Sequence, residues 1–310
     1  MMISKSVLDW LLAGDPSIRW QTLRDLAGAN PKTVESERRK AVRSGWAARL
    51  LSLQDQGGRW AGGLYTPKWK STTYTMLLLR DLGVPGDDPK IRQACKQLLD
   101  NGFYRDGGIN YAFSIKRSET CVTGMVLSIL ARFEYRDDRV RLLAEHLIKE
   151  QMPDDGWNCQ RHRGATHASF HTTINVLEGL LQYERLHTDA AGRIAKAQAG
   201  AREFLRAHRH FRSHRTGEIV DERMTRFSFP PRWHYDVLRG LDYFQACGVK
   251  PDPRDGDAIE LVRKKRVKDG TWPLQNRHSG KTFFELEKAG KPSRWNTLRA
   301  LRVLRWFENA

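Results

Sequence analysis

The stretch MPDDGWNCQ, Met152 to Gln160, decides the fold because the chain repeats it. QDQGGRWAGG from Gln54, YRDGGINY from Tyr104 and VKDGTWPLQ from Val267 carry the same Gly-rich turn with a large aromatic close by. The turns recur at intervals of about 50 residues apart from one gap of double size, a period that marks a repeated supersecondary unit. In that gap HRHFRSHRTGEIVDE, from His208, holds the corresponding place in degenerate form.

Each turn follows an amphipathic run. Val140, Leu143 and Leu147 fall at helical spacing in one, and Ala258 to Arg263 form another. A second, more apolar run comes after each turn. Six such runs resemble one another, the first ahead of the earliest turn: IRWQTLRDL from Ile18, TYTMLLLRDL from Thr73, ETCVTGMVLSIL from Glu119, FHTTINVLEGL from Phe170, WHYDVLRGLDYF from Trp233 and RWNTLRALRVLRW from Arg294. Helices apolar on most faces must be wrapped by others, whereas the first helix of each pair keeps a polar face. The expectation is an all-α chain, an α/α toroid of about six helical hairpins forming one domain over 1–310, with an inner ring of apolar helices wrapped by outer ones.

These turns resemble the Gln-Trp repeats of squalene cyclases, other terpenoid cyclases and protein prenyltransferase β subunits, whose shared fold is that toroid. The resemblance runs from Ile18 to Arg305 and implies architecture more than activity. Cyclases of the family that protonate their substrate use an Asp-x-Asp-Asp motif. This sequence has none. Its Asp-Asp pairs are Asp87-Asp88, Asp137-Asp138 and Asp154-Asp155, and the first two read as turns. Prenyltransferases hold zinc with an Asp-x-Cys and a later His. The resemblance offers Glu119, Cys121 and His234 as an alternative zinc set, while the main expectation is no cofactor. Cys159, His162, His167 and His171 suggest a second set, which the neighbouring Arg161 and Arg163 disfavour.

Charge bears on partners. Of 310 residues, 53 are Lys or Arg and 36 Asp or Glu, a net charge of +17, which favours a polyanion or another anionic ligand. Four separated Cys without a CxxC pair read as reduced thiols. With no apolar run of about 18 residues and no secretory leader pattern, the expectation is a cytoplasmic protein without a membrane span.

In a toroid the helices that begin at one rim bring their first residues to a common pocket. Such convergence marks Asp236, Glu119, His171 and His234 as catalytic groups. Tyr74, His167, Trp233, Tyr235, Trp295 and Asn296 become substrate walls, and Arg161, Arg163, Arg212, Arg215, Arg232 and Arg294 phosphate ligands. A pocket of this make-up suits a flipped nucleotide, so the leading expectation is a DNA glycosylase-like hydrolase cleaving an N-glycosidic bond. The alternatives are a prenyltransferase or terpene cyclase using an isoprenoid diphosphate, and a non-enzymatic scaffold that binds nucleic acid. Asp236 and Glu119 could equally be acids serving a helix N-terminus.

Overall fold

A computed structural model of the chain describes residues 3–112, 114–187 and 191–309. The fold is all-α: the described residues form thirteen α-helices, and their one sheet is a pair of two-residue strands. All six apolar runs are helical. They form α2 (Pro16–Asp25), α5 (Thr72–Leu82), α7 (Thr120–Arg132), α9 (Phe170–Glu184), α11 (Val237–Cys247) and α13 (Arg294–Glu308). Before them in the chain come α1 (Lys5–Leu12), α4 (Gly45–Ser52), α6 (Pro89–Asp100), α8 (Asp138–Lys149), α10 (Ala191–Ala207) and α12 (Gly256–Lys264), with α3 (Pro31–Lys40) as an extra helix.

The repeat is physical as well as textual. In each of the four clear turns one residue donates its backbone N–H to the carbonyl four positions on: Asp55 to Arg59, Tyr104 to Gly108, Met152 to Gly156 and Val267 to Thr271, all at 2.9 Å. The bond closes only if the residue before the acceptor adopts positive φ. Gly58, Gly107 and Gly270 do so at 82°, 90° and 87°, and in the third turn the place falls to Asp155 at 65°. The next residue then donates its N–H to a Thr hydroxyl of the following helix. The pairs are Trp60 with Thr72 (3.1 Å), Ile109 with Thr123 (2.9 Å), Trp157 with Thr173 (3.0 Å) and Trp272 with Thr297 (3.0 Å). Trp157 and Trp272 also hang their indole N–H on the preceding helix, at Leu147 O and Val262 O, each 2.7 Å away. The degenerate segment instead makes a longer loop closed by an Arg212–Ile219 bridge.

The chain folds into two compact units. One holds residues up to 52, 82–84 and from 206 onward. Here Asp15 caps α2, accepting from Ser17 N at 2.9 Å, and also accepts from Trp46 N at 2.8 Å. Strand β1 (Trp272–Pro273) pairs antiparallel with β2 (Pro292–Ser293), which leads directly into α13. Asp242 of α11 pairs with both Arg299 and Arg302 of α13, and Arg302 also reaches Asp25 of α2 at 3.3 Å.

The other unit holds 53–81 and 85–205. Both acid pairs read as turns begin helices: Asp88 and Asp137 are N-caps, of α6 and α8. Each of these helices buries one face, Ile91, Ala94, Cys95, Leu98 and Leu99 in α6 and Val140, Leu143, Ala144 and Leu147 in α8. Helices α7 and α9 are buried almost throughout and touch backbone to backbone at Gly124 and Gly179. Between their flanks Arg80 is held by Asp81 at 2.8 Å, Glu178 at 3.0 Å and the Ser128 hydroxyl at 2.8 Å.

Candidate active site

In the second unit the first two turns and the loops after them line a half-open cavity of about 1050 Å³. Its walls are aromatic and aliphatic: Tyr65, Phe103, Tyr104, Tyr111, Leu64 and Ile115. Arg59 and Lys116 bring positive charge, and Asn101, Asn110, Thr66 and Ser114 bring hydrogen-bonding groups. Glu119 is its carboxylate.

Local bonds hold these walls. Asp106 staples the 104–118 loop, accepting from Ser118 N at 2.8 Å, Gly108 N at 3.1 Å and the Ser118 hydroxyl at 2.5 Å. Burial raises the Asp106 carboxyl, but these bonds outweigh it and leave the group below its ordinary value. Asn110 folds the loop tip, donating to Ile115 O at 2.6 Å and accepting from Ala112 N at 2.7 Å. Tyr111 donates its hydroxyl to Leu98 O at 2.8 Å, and its ring lies 6.4 Å from that of Tyr65. Tyr65 in turn packs 5.4 Å from Tyr74, whose other side meets the edge of Trp69 at 4.8 Å.

Glu119 precedes α7 at the N-cap position, yet its side chain makes no capping bond. Burial raises its carboxyl above the ordinary glutamate range, opposed by the charges of Lys68 and His162. A carboxyl so placed stays protonated to a higher pH than a solvated one and can hand its proton into the cavity. Just behind it the Cys121 N–H donates to Cys159 Sγ at 3.1 Å.

The structure sorts the residues singled out from the sequence. Glu119 lines the cavity, and Tyr74 backs it as a buried residue behind Tyr65. Asp236 is the N-cap of α11 and 1% exposed. Its oxygens accept from Arg239 N at 2.8 Å, Ser228 N at 3.1 Å and Ser228 Oγ at 2.8 Å. That is the helix-serving role of an acid, with both oxygens occupied. Tyr235 is buried and donates to His210 O at 2.8 Å. Trp295 is buried, stacked 4.2 Å from Phe229, and Asn296 is buried with its amide donating to Pro273 O at 3.0 Å. These four are interior supports because the first turns of α11 and α13 are themselves packed over.

His234 stacks between Trp233 at 3.7 Å and His278 at 3.9 Å in the first unit. His171 sits half-buried in the first turn of α9, its carbonyl accepting from Asn175, while His167 is exposed. Arg294 lies over the Trp10 ring and donates to Trp10 O, and Arg212 is paired with Asp257, so both are already engaged within their own unit. Arg161 lies 3.7 Å from Glu150, Arg163 and Arg215 are exposed, and Arg232 is half-buried at positive φ. Among the described residues no group of three or more His, Cys, Asp or Glu is gathered so as to hold a metal. Glu119 and Cys121 adjoin in one unit, and His234 belongs to the other. No helix of the described residues is long and apolar enough to cross a membrane.

No protein-family model matches the sequence, and no curated protein matches it. Among solved structures, the apo form of the type II terpene cyclase MstE from Scytonema aligns at 13% identity and a TM-score of 0.36, covering 87% of this chain and 96% of that one. A variant of the same cyclase in complex with geranylgeranyl dihydroxybenzoate, its substrate, aligns at 13% identity and a TM-score of 0.37, with the same coverage. Similarity of this degree assigns no activity.

Tyr65, Phe103, Tyr111 and Arg59 line the cavity without standing at a helix N-terminus, whereas Cys159 does not line it and lies just behind, at the Cys121 N–H of α7. All lie in or directly beside a Gly-rich turn, in segments that read as architecture. The usable signal was the length of the loops between turn and helix, since a loop far longer than its connection needs commonly carries function.

Proposed function

We propose that the chain is an enzyme of acid-initiated isoprenoid chemistry, a terpene cyclase-like activity on an isoprenoid diphosphate, with Glu119 as the general acid. The observation that supports it is the pairing of a burial-raised carboxyl with an aromatic-walled cavity of about 1050 Å³ in one unit. The Glu119 proton passes to a terminal alkene carbon, the C–H bond forms, and the neighbouring carbon becomes a tertiary cation. A π face stabilises such a cation, and Tyr65, Phe103, Tyr104 and Tyr111 supply four. An internal alkene closes on the cation, loss of a proton ends the sequence, and the Glu119 carboxylate is protonated again from solvent. Arg59 and Lys116 supply the charge that the diphosphate requires.

Incubation with farnesyl and geranylgeranyl diphosphate, followed by mass analysis of the extracted products, tests this reading. A cyclised product from the wild type, lost in Glu119→Gln, is the expected result. Unchanged substrate in every case overturns it.

Base excision loses its motivation, since Asp236, Tyr235, Trp295 and Asn296 are interior supports. The net charge of +17 and the exposed Arg163 and Arg215 favour only its non-enzymatic form, a polyanion-binding surface. A salt-sensitive gel shift with duplex DNA that persists in Glu119→Gln would mark that reading.

A further inference from the structure

Cys121 and Cys159 are far apart in the sequence, and folding brings them together. The Cys121 backbone N–H, in the first turn of α7, donates to Cys159 Sγ at 3.1 Å. The Thr172 hydroxyl, in the first turn of α9, donates to the same sulfur at 3.4 Å, and Cys159 N donates back to Thr172 Oγ1 at 3.2 Å. One sulfur therefore collects two donors, the Cys121 N–H and the Thr172 hydroxyl, an arrangement that stabilises a thiolate. Both cysteines are half-buried, while Cys95 is fully buried.

We propose that Cys159 and Cys121 form a redox-active pair, Cys159 the nucleophile toward a hydroperoxide and Cys121 the resolving thiol. The Cys159 thiolate attacks the terminal oxygen of the hydroperoxide. An S–O bond forms, the O–O bond breaks, and the alcohol, or water from hydrogen peroxide, departs with a proton. The Cys121 sulfur then attacks the resulting sulfenic sulfur. The S–S bond forms, the S–O bond breaks, and water leaves with the Cys121 proton. Two thiols lose two electrons and the peroxide gains them; an external dithiol returns the pair by exchange.

The surroundings fit those roles. The hydrogen bond from Cys121 and the Thr172 contact hold the Cys159 thiol below its ordinary value against the opposing effect of burial. Cys121, as the donor and by burial, is held above. Burial pushes the Cys95 thiol up to about 12, which keeps it out of the reaction. Glu119, two residues before Cys121, lines the cavity together with Tyr65, and Arg161 and His162 follow Cys159 in the loop, with His162 Nδ1 2.9 Å from Cys159 O.

The reduced full-length protein is titrated with hydrogen peroxide and read by intact mass and by non-reducing peptide mapping. The wild type should lose about 2 Da, the two thiol hydrogens, with the new cross-link joining the Cys121 and Cys159 peptides. Cys121→Ser should stop at a sulfenic acid on Cys159, trapped by dimedone. Cys159→Ser should leave Cys121 unmodified over the same titration. Thr172→Val, which keeps the side chain's shape, should slow Cys159 oxidation several-fold while circular dichroism stays unchanged. A cross-link through Cys95 or Cys247, or oxidation of Cys121 ahead of Cys159, overturns the proposal. So does a wild type that takes up oxygen without cross-linking. The readouts are masses, so they stand or fall independently of any isoprenoid turnover.

Discussion

Gly124 of α7 and Gly179 of α9 sit face to face. A Cβ on Gly124 would lie 2.7 Å from Asn175 O, and one on Gly179 would lie 2.6 Å from Gly124 O. Both obstacles are backbone, which cannot swing aside, so either alanine must push the two helices apart. We expect Gly124→Ala and Gly179→Ala each to cost about 1–3 kcal/mol, the usual penalty for overpacking, in reversible chemical unfolding. The double variant should cost less than the sum, since the first alanine opens the gap for the second.

Asp155 carries the positive φ of 65° that glycine supplies in the other three clear turns. Asp155→Gly should therefore stabilise the protein by about 1 kcal/mol, through relief of left-handed strain. Thermal unfolding checks the sign. A fall in Tm would mean that the side chain's packing against Gly200 outweighs the strain.

The four Thr acceptors offer a matched series. Thr173→Val and Thr297→Val leave Trp157 N and Trp272 N, both buried, without their acceptor, at about 1–3 kcal/mol each. Thr173 also donates its hydroxyl to Trp157 O at 3.3 Å, so its loss should be the larger of the two. Urea midpoints of the single variants measure this.

Glu119 ties pH to both activity and stability. Its carboxyl is raised above the ordinary value, so the folded state holds the proton more tightly than the unfolded chain does. Its contribution to stability is complete below the ordinary glutamate range and is lost as pH rises through the raised folded value. Glu119→Gln should match the wild type in acid and become relatively more stable above that window, as read by Tm against pH. Turnover by the wild type, which needs the protonated acid, should fall across the same window.

The apolar runs mark all six helices α2, α5, α7, α9, α11 and α13 in advance, and the Gly-rich turns set off those after α2, because periodicity and turn chemistry are local properties. Asp236, Tyr235, Trp295 and Asn296 suggest pocket walls by position in the chain alone. Position says where a helix begins and not which of its faces is packed over. Arg212 and Arg294 show the same gap for charge: both are legible as cations, but their partners Asp257 and Trp10 are distant in sequence.

By itself, then, the sequence determined the helical hairpins, the hydrogen-bonded turns between them and the excess of positive charge. Only the tertiary structure decided that Glu119 lies free of its helix cap beside Tyr65, Phe103 and Tyr111, and that Cys159 meets Cys121 across 38 residues. A turn is closed by bonds a few residues long, whereas a cavity and a thiol pair depend on which loops come together once every helix has buried its apolar face.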